Sequence, residues 1–227
     1  MEKEIPNRQN TENRKKLISA AKELFYVQGY SGTTLAQLSK ASGVNNGLIT
    51  YYFGSKANLA SIVYTGLMLE LRNEIAKQLY IIKHDYSLEL GIGLETRILL
   101  KLKFENKSFL RFCAEYQSEK PGYVKTASGK RSHYYQLQRR LINPQLSDDD
   151  LRLYEICGIA ATKAVTEAYF TGYYAGDPTY AEDYVLRLLY KMLQLPDYQS
   201  EALVEESRFL KDQLNIKVGP YFKLINQ

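Results

Sequence analysis

Residues 33–59 read TTLAQLSKASGVNNGLITYYFGSKANL, and this stretch decides the fold. Thr33 and Thr34 stand at a helix start, and Thr34 with Gln37 fits the reciprocal hydrogen bonds of a capping box. Leu35, Leu38 and Ala41 give that helix an apolar side, and Gly43 stops it. Asn45 suits the N-cap of a short helix with Ile49 and Phe53 inward, ended by Gly54. Ser55 caps a long helix, expected to reach roughly Lys83, with Leu59, Ile62, Val63, Leu67, Leu71 and Ile75 inward. Two short helices joined at Ala41-Ser42-Gly43-Val44-Asn45-Asn46 make a helix-turn-helix. Its second helix suits the DNA major groove, which admits a helix and shows a distinct donor and acceptor pattern at each base pair.

Upstream, Leu17, Ala21, Leu24, Phe25 and Gln28 form the stripe of a first helix closed by Gly29, while Met1–Thr11 is polar and expected to fray. In the third helix Val44, Ile49, Tyr52 and Phe53 turn toward the first two. Asn45, Asn46, Gly47, Thr50 and Tyr51 are left outside. Asn can bond adenine edges bidentately, Gly47 allows close backbone approach, and the Thr50 methyl can meet a thymine methyl. Hydroxyls of Thr33, Thr34 and Tyr51, with the Lys56 ammonium in the first turn of the fourth helix, suit phosphate oxygens. The same residues would equally form the solvated face of a small helical bundle, and spacing alone leaves both readings open.

The run Leu17–Phe25, Gly29, Thr33-Thr34, Leu38, Ala41-Ser42-Gly43-Val44, Gly47, Ile49, Tyr51-Tyr52-Phe53, Ser55-Lys56 and Leu59 resembles the amino-terminal domain of the TetR family of bacterial transcriptional regulators. Asn45 stands where the family usually has a Ser or Thr cap. Thr50 stands where it commonly has an operator-touching aromatic residue, a contact that Tyr51 is placed to supply. The resemblance implies an all-α homodimer: a three-helix DNA-binding domain followed by a larger helical ligand-binding and dimerisation domain, usually repressing. Domains are expected at 1–58 and 59–227; the second matches no subgroup, so no ligand is inherited from the comparison.

Composition agrees with a DNA binder. Residues 1–58 carry eight Lys/Arg against four Asp/Glu, while residues 59–227 carry 22 against 21. Basicity confined to one end is an asymmetry that nucleic-acid binders show, though a surface that merely leans basic would look the same. The longest charge-free stretch, Leu24–Ser39, holds Gln, Ser, Thr and Gly, so no membrane span is expected; with no apolar leader in view, the expected location is cytoplasmic. Cys113 and Cys157 lack disulfide or zinc spacing, and His84 and His133 are too scattered for a metal site. No metal, cofactor or catalytic group is expected.

The second domain reads as helices near 87–104, 107–118, 122–142, 147–175, 179–195 and 198–214, with no period-2 alternation to require strands. Leu151, Tyr154, Gly158, Ala161, Val165, Ala168 and Gly172 recur at alternating spacing of four and three, a seam for a partner helix with small residues for close approach. Ala181, Val185, Leu188, Met192 and Leu195 continue it on the next helix. A four-helix interface between two chains and an intrachain core stripe both fit, and the resemblance points to the interface. Lys163 and Glu167 read as a partly exposed pair or a polar handle in a pocket. Asp148-Asp149-Asp150 complements a helix dipole, with a metal site as the sharper alternative.

Sixteen of the 20 Tyr lie beyond residue 58. Phe109, Phe112, Tyr116, Tyr134, Tyr169 and Tyr173 come from helices that surround a pocket in the family; such walls suit a flat or apolar effector, or are plain core. The leading expectation is a repressor that binds a palindromic double-stranded operator as a homodimer and is released by a small apolar or aromatic molecule. The alternatives are a DNA-binding regulator without a small-molecule ligand and an all-helical enzyme, which would need titratable groups to converge in a cleft.

Overall fold

The computed structural model describes residues 8–119 and 139–226. Helix α1 (Arg8–Gln28) begins inside the polar stretch expected to fray. It ends at Gly29, whose φ of 81° lies in the left-handed region. A Cβ there would come within 2.6 Å of Glu115 Oε2, so the carboxylate that accepts from Ser31 would have to shift.

Helix α2 (Leu35–Ser42) opens on the expected capping box. Thr34 Oγ1 accepts the Gln37 N–H at 3.2 Å, and Gln37 Oε1 accepts the Thr34 N–H at 2.8 Å. Helix α3 (Asn46–Phe53) is capped by Asn45, whose Oδ1 accepts the Gly47 N–H at 2.8 Å. Ser55 caps α4 (Lys56–Ile82), so the expected 58/59 boundary falls in the first turn of this helix. Leu17, Ala21, Phe25, Leu38, Val44, Ile49, Phe53 and Leu59 are buried in one continuous core. Ile62, read as inward, is exposed, because the inward stripe of α4 runs through Leu59, Val63, Leu67, Leu71 and Ile75.

Helices α5 (Leu88–Glu105), α6 (Lys107–Glu119), α7 (Asp148–Thr171), α8 (Pro178–Met192) and α9 (Asp197–Lys211) form the rest. Residues 139–142 are helical, and the remainder of the helix expected at 122–142 lies outside the described residues. Helix α5 packs against α4, α6, α7, α8 and α9. A helix so surrounded is apolar nearly all round, as Leu90, Leu94, Ile98, Leu100 and Leu102 are. Two cations, Arg97 and Lys103, are nevertheless buried on it.

A short antiparallel hairpin, β1 (Ile216–Val218) and β2 (Leu224–Asn226), pairs Ile216 with Asn226 and Val218 with Leu224. Between them a 3-10 turn, Pro220–Phe222, buries Phe222 with its ring 4.8 Å from Phe112 and 5.4 Å from Tyr26. The hairpin qualifies the sequence reading that strands are not needed. Strands of three residues are too short for an alternation to register. The architecture is otherwise all-α.

Candidate nucleic-acid interface and regulatory face

The outer face of α3 is held rigidly and left uncovered. Asn45 caps the helix, Ile49 and Phe53 anchor it in the core, and Arg14 Nη1 donates to the Tyr52 carbonyl at 3.0 Å. Tyr52 Oη also donates to Asn10 Oδ1 at 2.9 Å. The remaining positions Asn46, Gly47, Thr50 and Tyr51 are exposed, Tyr51 to 75%. Asn46 makes no side-chain hydrogen bond to another described residue. Such a face has the donors, acceptors and methyl group that read base edges, on a helix whose own polar needs are met. Lys40, not singled out from the sequence, is exposed in the last turn of α2, beside the turn into α3.

Two of the expected phosphate contacts are committed elsewhere. Thr33 is 1% exposed; its hydroxyl donates to the Gly29 carbonyl at 2.7 Å and accepts from Gln28 Nε2 at 3.3 Å. It closes the end of α1 and is withdrawn from solvent. Lys56 Nζ donates to the carbonyls of Tyr30 at 3.0 Å and Thr33 at 2.9 Å, and sits 4.1 Å from the Tyr30 ring centroid. It pins the start of α4 onto the α1–α2 turn. Thr34 and Asn45 remain exposed, but their side-chain oxygens serve as caps. Thr33→Val is therefore expected to cost about 1–3 kcal/mol of stability, because it strips the Gly29 carbonyl of its buried donor. The salt slope of DNA binding should be unchanged, and thermal unfolding with DNA titration at several salt concentrations checks both.

Helix α6 reaches the DNA-binding domain directly. Arg111 Nη2 donates to the Val27 carbonyl at 2.7 Å and the Tyr26 carbonyl at 3.2 Å, capping the end of α1. Glu115 Oε2 accepts the Ser31 N–H at 2.8 Å. These contacts grip the α1–α2 turn from behind.

Of the six aromatic residues expected around a pocket, the five among the described residues do not converge on one site. Phe109, Phe112 and Tyr116 are buried in a cluster with Phe25, Tyr30 and Phe222; Phe112 stacks on Phe25 at 5.3 Å and on Tyr116 at 5.9 Å. Tyr169 pairs instead with Phe104 at 4.2 Å. Tyr173 is 91% exposed just beyond α7, and Tyr134 lies outside the described residues. An open cleft at the α4–α5 corner is lined by Lys83, Asp85, Tyr86, Ser87, Leu90 and Glu206, none of the six.

The small-residue stripe of α7 faces inward at Gly158, where a Cβ would meet the Leu189 side chain of α8 at 3.0 Å. Val185 is fully buried, so it cannot touch a second chain. Ala161, Val165, Ala168 and Met192 are half-buried, and Gly172 is the exposed left-handed cap of α7. The outward faces carry Leu153, Ile156, Ala160, Ala164 and Phe170 on α7, then Tyr180, Tyr184 and the expected seam residue Leu188 at four-residue spacing on α8. Of the residues read as the seam, Gly158 and Val185 face inward, Ala161, Val165, Ala168 and Met192 keep part of their surface, and Gly172 and Leu188 lie outward.

Among the described residues no three His, Cys, Asp or Glu side chains group to hold a metal ion. Asp150 completes a capping box with Ser147, whose N–H it accepts at 2.9 Å. His84 is exposed beside the Tyr80 ring, Cys113 is buried, and His133 lies outside the described residues. No described helix is long and apolar enough to cross a membrane.

Residues 17–61 match the sequence model of bacterial regulatory proteins of the TetR family. The HTH-type transcriptional regulator HbdR of Aromatoleum sp. (strain CIB) is 36% identical over 73 residues, 32% of this chain and 32% of the relative. The HTH-type transcriptional regulator LmrA of Bacillus subtilis (strain 168) is 41% identical over 66 residues, 29% of this chain and 35% of the relative. The chain thus matches only about a third of the length of these relatives. The backbone superposes on RolR in complex with resorcinol at a TM-score of 0.60, covering 88% of this chain and 95% of that one at 13% identity. A solved chain from Shewanella sp. PV-4, assigned to the TetR family of transcription regulators, superposes at 0.55, covering 79% and 96% at 17% identity. At these identities the superpositions speak to fold alone.

Proposed function

We propose, of a chain whose amino-terminal domain is that of the TetR family of transcriptional regulators, that it is a homodimeric repressor released from a palindromic operator by a small aromatic molecule. The observation that carries DNA binding is the uncovered face of Asn46, Gly47, Thr50 and Tyr51 on a capped, core-anchored helix. Asn46 reads a base edge, the Thr50 methyl and Tyr51 ring flank it, and Thr34 and Lys40 meet phosphates. Sequencing the DNA retained by the purified protein tests this reading. A shared site of two inverted half-sites, centred one helical turn or a multiple of it apart, is expected. Retained DNA with no common site would overturn it.

The outward apolar faces of α7 and α8 support the dimer. Leu153, Ile156, Phe170, Tyr180, Tyr184 and Leu188 leave a large aliphatic and aromatic surface to water in one chain, of the kind that marks an interface. Two helices from each chain would make a four-helix contact. Leu188→Glu, which places a charge in that seam, is expected to give monomers at micromolar concentration where the unaltered protein sediments as a dimer. The variant should lose most operator affinity with it.

Ligand and operator are coupled through α4, which runs from the DNA-binding domain into the second domain, and through α6. A molecule that shifts α6 moves Arg111 and Glu115, and with them the end of α1 and the start of the helix-turn-helix. The ligand must bind the DNA-incompetent arrangement better than the competent one. RolR carries resorcinol in its solved complex, which is in keeping with an aromatic effector here. A second reading, a regulator without a small-molecule ligand, is favoured by one observation: Phe109, Phe112 and Tyr116 fill their own space with Phe25, Tyr30 and Phe222. A thermal-shift screen with aromatic compounds, followed by operator titration, separates the two.

A further inference from the structure

The last turn of α1 is held from the second domain in two ways. Arg111 of α6 takes its backbone, donating to the Tyr26 and Val27 carbonyls at 3.2 and 2.7 Å. The β1–β2 hairpin takes its side chains. Tyr221 and Phe222 set their rings edge-on to the Tyr26 ring at 6.0 and 5.4 Å. Phe222 also lies 4.8 Å from Phe112 of α6, which in turn stacks on Phe25 of α1 at 5.3 Å. The Phe222 ring, with no exposed surface, is thus shared between α1 and α6. Phe25 and Tyr26 stand immediately before the turn into the helix-turn-helix, where the Gly29 N–H donates to the Phe25 carbonyl at 3.1 Å.

The hairpin is itself fastened to the second domain. Asn106, the C-cap of α5, donates through Nδ2 to the Val218 carbonyl at 2.8 Å, and Gln78 Oε1 of α4 accepts the Asn215 N–H at 2.9 Å. Ile216 and Val218 are buried below it. The backbone between the strands is strained. Tyr221 (φ 58°, ψ 32°) and Phe222 (φ 58°) both lie in the left-handed region. Bulky side chains are outliers there, and a turn that only closed a hairpin would place Gly or Asn. Such a conformation persists where the surroundings over-determine it. Here those surroundings are the Tyr26 and Phe112 rings on one side and Asn106 on the other. The strain is what brings two consecutive aromatic rings onto α1.

We propose that the hairpin is a strap that sets the orientation of the DNA-binding domain on the second domain, with Phe222 as a positioning residue for operator binding. This rests on the DNA-binding reading and deepens it. Helix α1 carries α3 with it, since Arg14 of α1 bonds the Tyr52 carbonyl and Tyr52 Oη bonds Asn10. A tilt of α1 is therefore a tilt of the face that meets bases. Two such faces in a dimer meet two half-sites only at one spacing. A domain that holds the competent orientation for only part of the time binds in proportion to that fraction. Rings on Tyr26 and Phe112 keep the fraction high without touching DNA.

The test compares Phe222→Ala with Leu90→Ala in the full-length protein. Leu90 is buried as deeply but lies at the opposite end of α5 from Asn106. Both variants should melt lower, by roughly 4–20 °C. Operator affinity, read well below both melting temperatures, is expected to fall about 5- to 150-fold in Phe222→Ala and to be unchanged in Leu90→Ala. Hydrogen exchange gives a readout that needs no DNA. The Ser31 and Thr33 amides, bonded to Glu115 and to the Tyr30 carbonyl, should exchange faster in Phe222→Ala than its lower melting temperature accounts for, and no faster than that in Leu90→Ala. If Phe222→Ala does not fold, Phe222→Leu, which fills most of the space and removes the ring, carries the same comparison with an effect at the lower end of the range. Unchanged operator affinity in the Phe222 variant, or an equal loss in Leu90→Ala, would overturn the strap. An unaltered protein that retains no common DNA site would bring down the DNA-binding reading instead, and exchange at Ser31 and Thr33 then decides whether the hairpin holds the domain.

Discussion

Arg97→Ala is expected to lower stability by about 3–5 kcal/mol, the cost of stranding buried carboxylates by removing one partner. Arg97 joins three helices: Nη1 to Glu182 Oε2 at 3.1 Å, Nη2 to Asp183 Oδ1 at 2.7 Å and the Val204 carbonyl at 3.1 Å, and Nε to Ser207 Oγ at 3.1 Å. Lys211 also bonds Glu182, and Arg208 bonds Asp183, so the variant leaves each carboxylate one cation short rather than bare. For a chain of this size the melting temperature should fall by roughly 6–20 °C. The pH dependence has a definite sign. Burial already holds the Glu182 carboxyl above its ordinary range, against the pull of Lys211 and Arg97. A raised carboxylate binds its proton more readily folded than unfolded, so its contribution to stability declines as pH rises through the window above the unfolded pKa. Removing Arg97 raises that pKa further. The deficit of the variant against the unaltered protein should therefore be greatest at neutral pH and shrink toward about pH 5. A deficit that grows on acidification would show that Glu182 is not the stranded group. Replacing Arg97, Glu182, Asp183 and Lys211 together by Met, Gln, Asn and Met should recover part of the loss, because the buried charges then leave together and Arg208 is exposed enough to reach water.

The amino-terminal domain was legible because its signals are local. Thr34 with Gln37, Asn45 and Ser55 mark helix starts within three residues of the groups they bond, and Gly29, Gly43 and Gly54 mark the ends. What sequence could not show was direction and distant partners. Thr33 stands next to a cap and looks like a second hydroxyl on the same surface. Its bond to Gly29, four residues back, depends on how the α1–α2 turn folds over itself. Lys56 finds its acceptors at Tyr30 and Thr33, across a helix-turn-helix. Arg97 and Lys103 look alike as lone cations on one helix. Only the packing of α7, α8 and α9 gives two carboxylates to one and a hydroxyl to the other. In α7 the period marked a stripe of small residues but could not say that α8 of the same chain packs on it at Gly158. The aromatic residues fared likewise: Phe112 was expected to line a pocket because of its helix, and the carboxy-terminal Phe222 occupies the space it faces.

Asn46→Ala is expected to weaken operator binding by ~2–6 kcal/mol, about 30-fold to 10⁴-fold, since a bidentate base contact is worth ~1–3 kcal/mol and a homodimer loses one in each half-site. The loss should be specific to sequence. Asn46 is exposed at the first position of α3 and bonds no other described side chain, so its removal leaves the helix and its cap intact. The unfolding midpoint should stay within a degree or two, because surface changes away from caps and cores move stability by about 0.5 kcal/mol or less. Asn45→Ala supplies the contrast. It deletes the acceptor of the Gly47 N–H and should cost about 0.5–2 kcal/mol of stability, with DNA of every sequence affected alike. The decisive measurement is a matrix of the two variants against the operator and against operators altered one base pair at a time. Asn46→Ala should flatten the preference at one position in each half-site and leave the salt slope unchanged, since no phosphate contact is lost. A uniform loss across all sequences would make Asn46 a positioning residue and pass base reading to Thr50 and Tyr51. No loss at all would mean that the uncovered face of α3 is not the face that meets DNA.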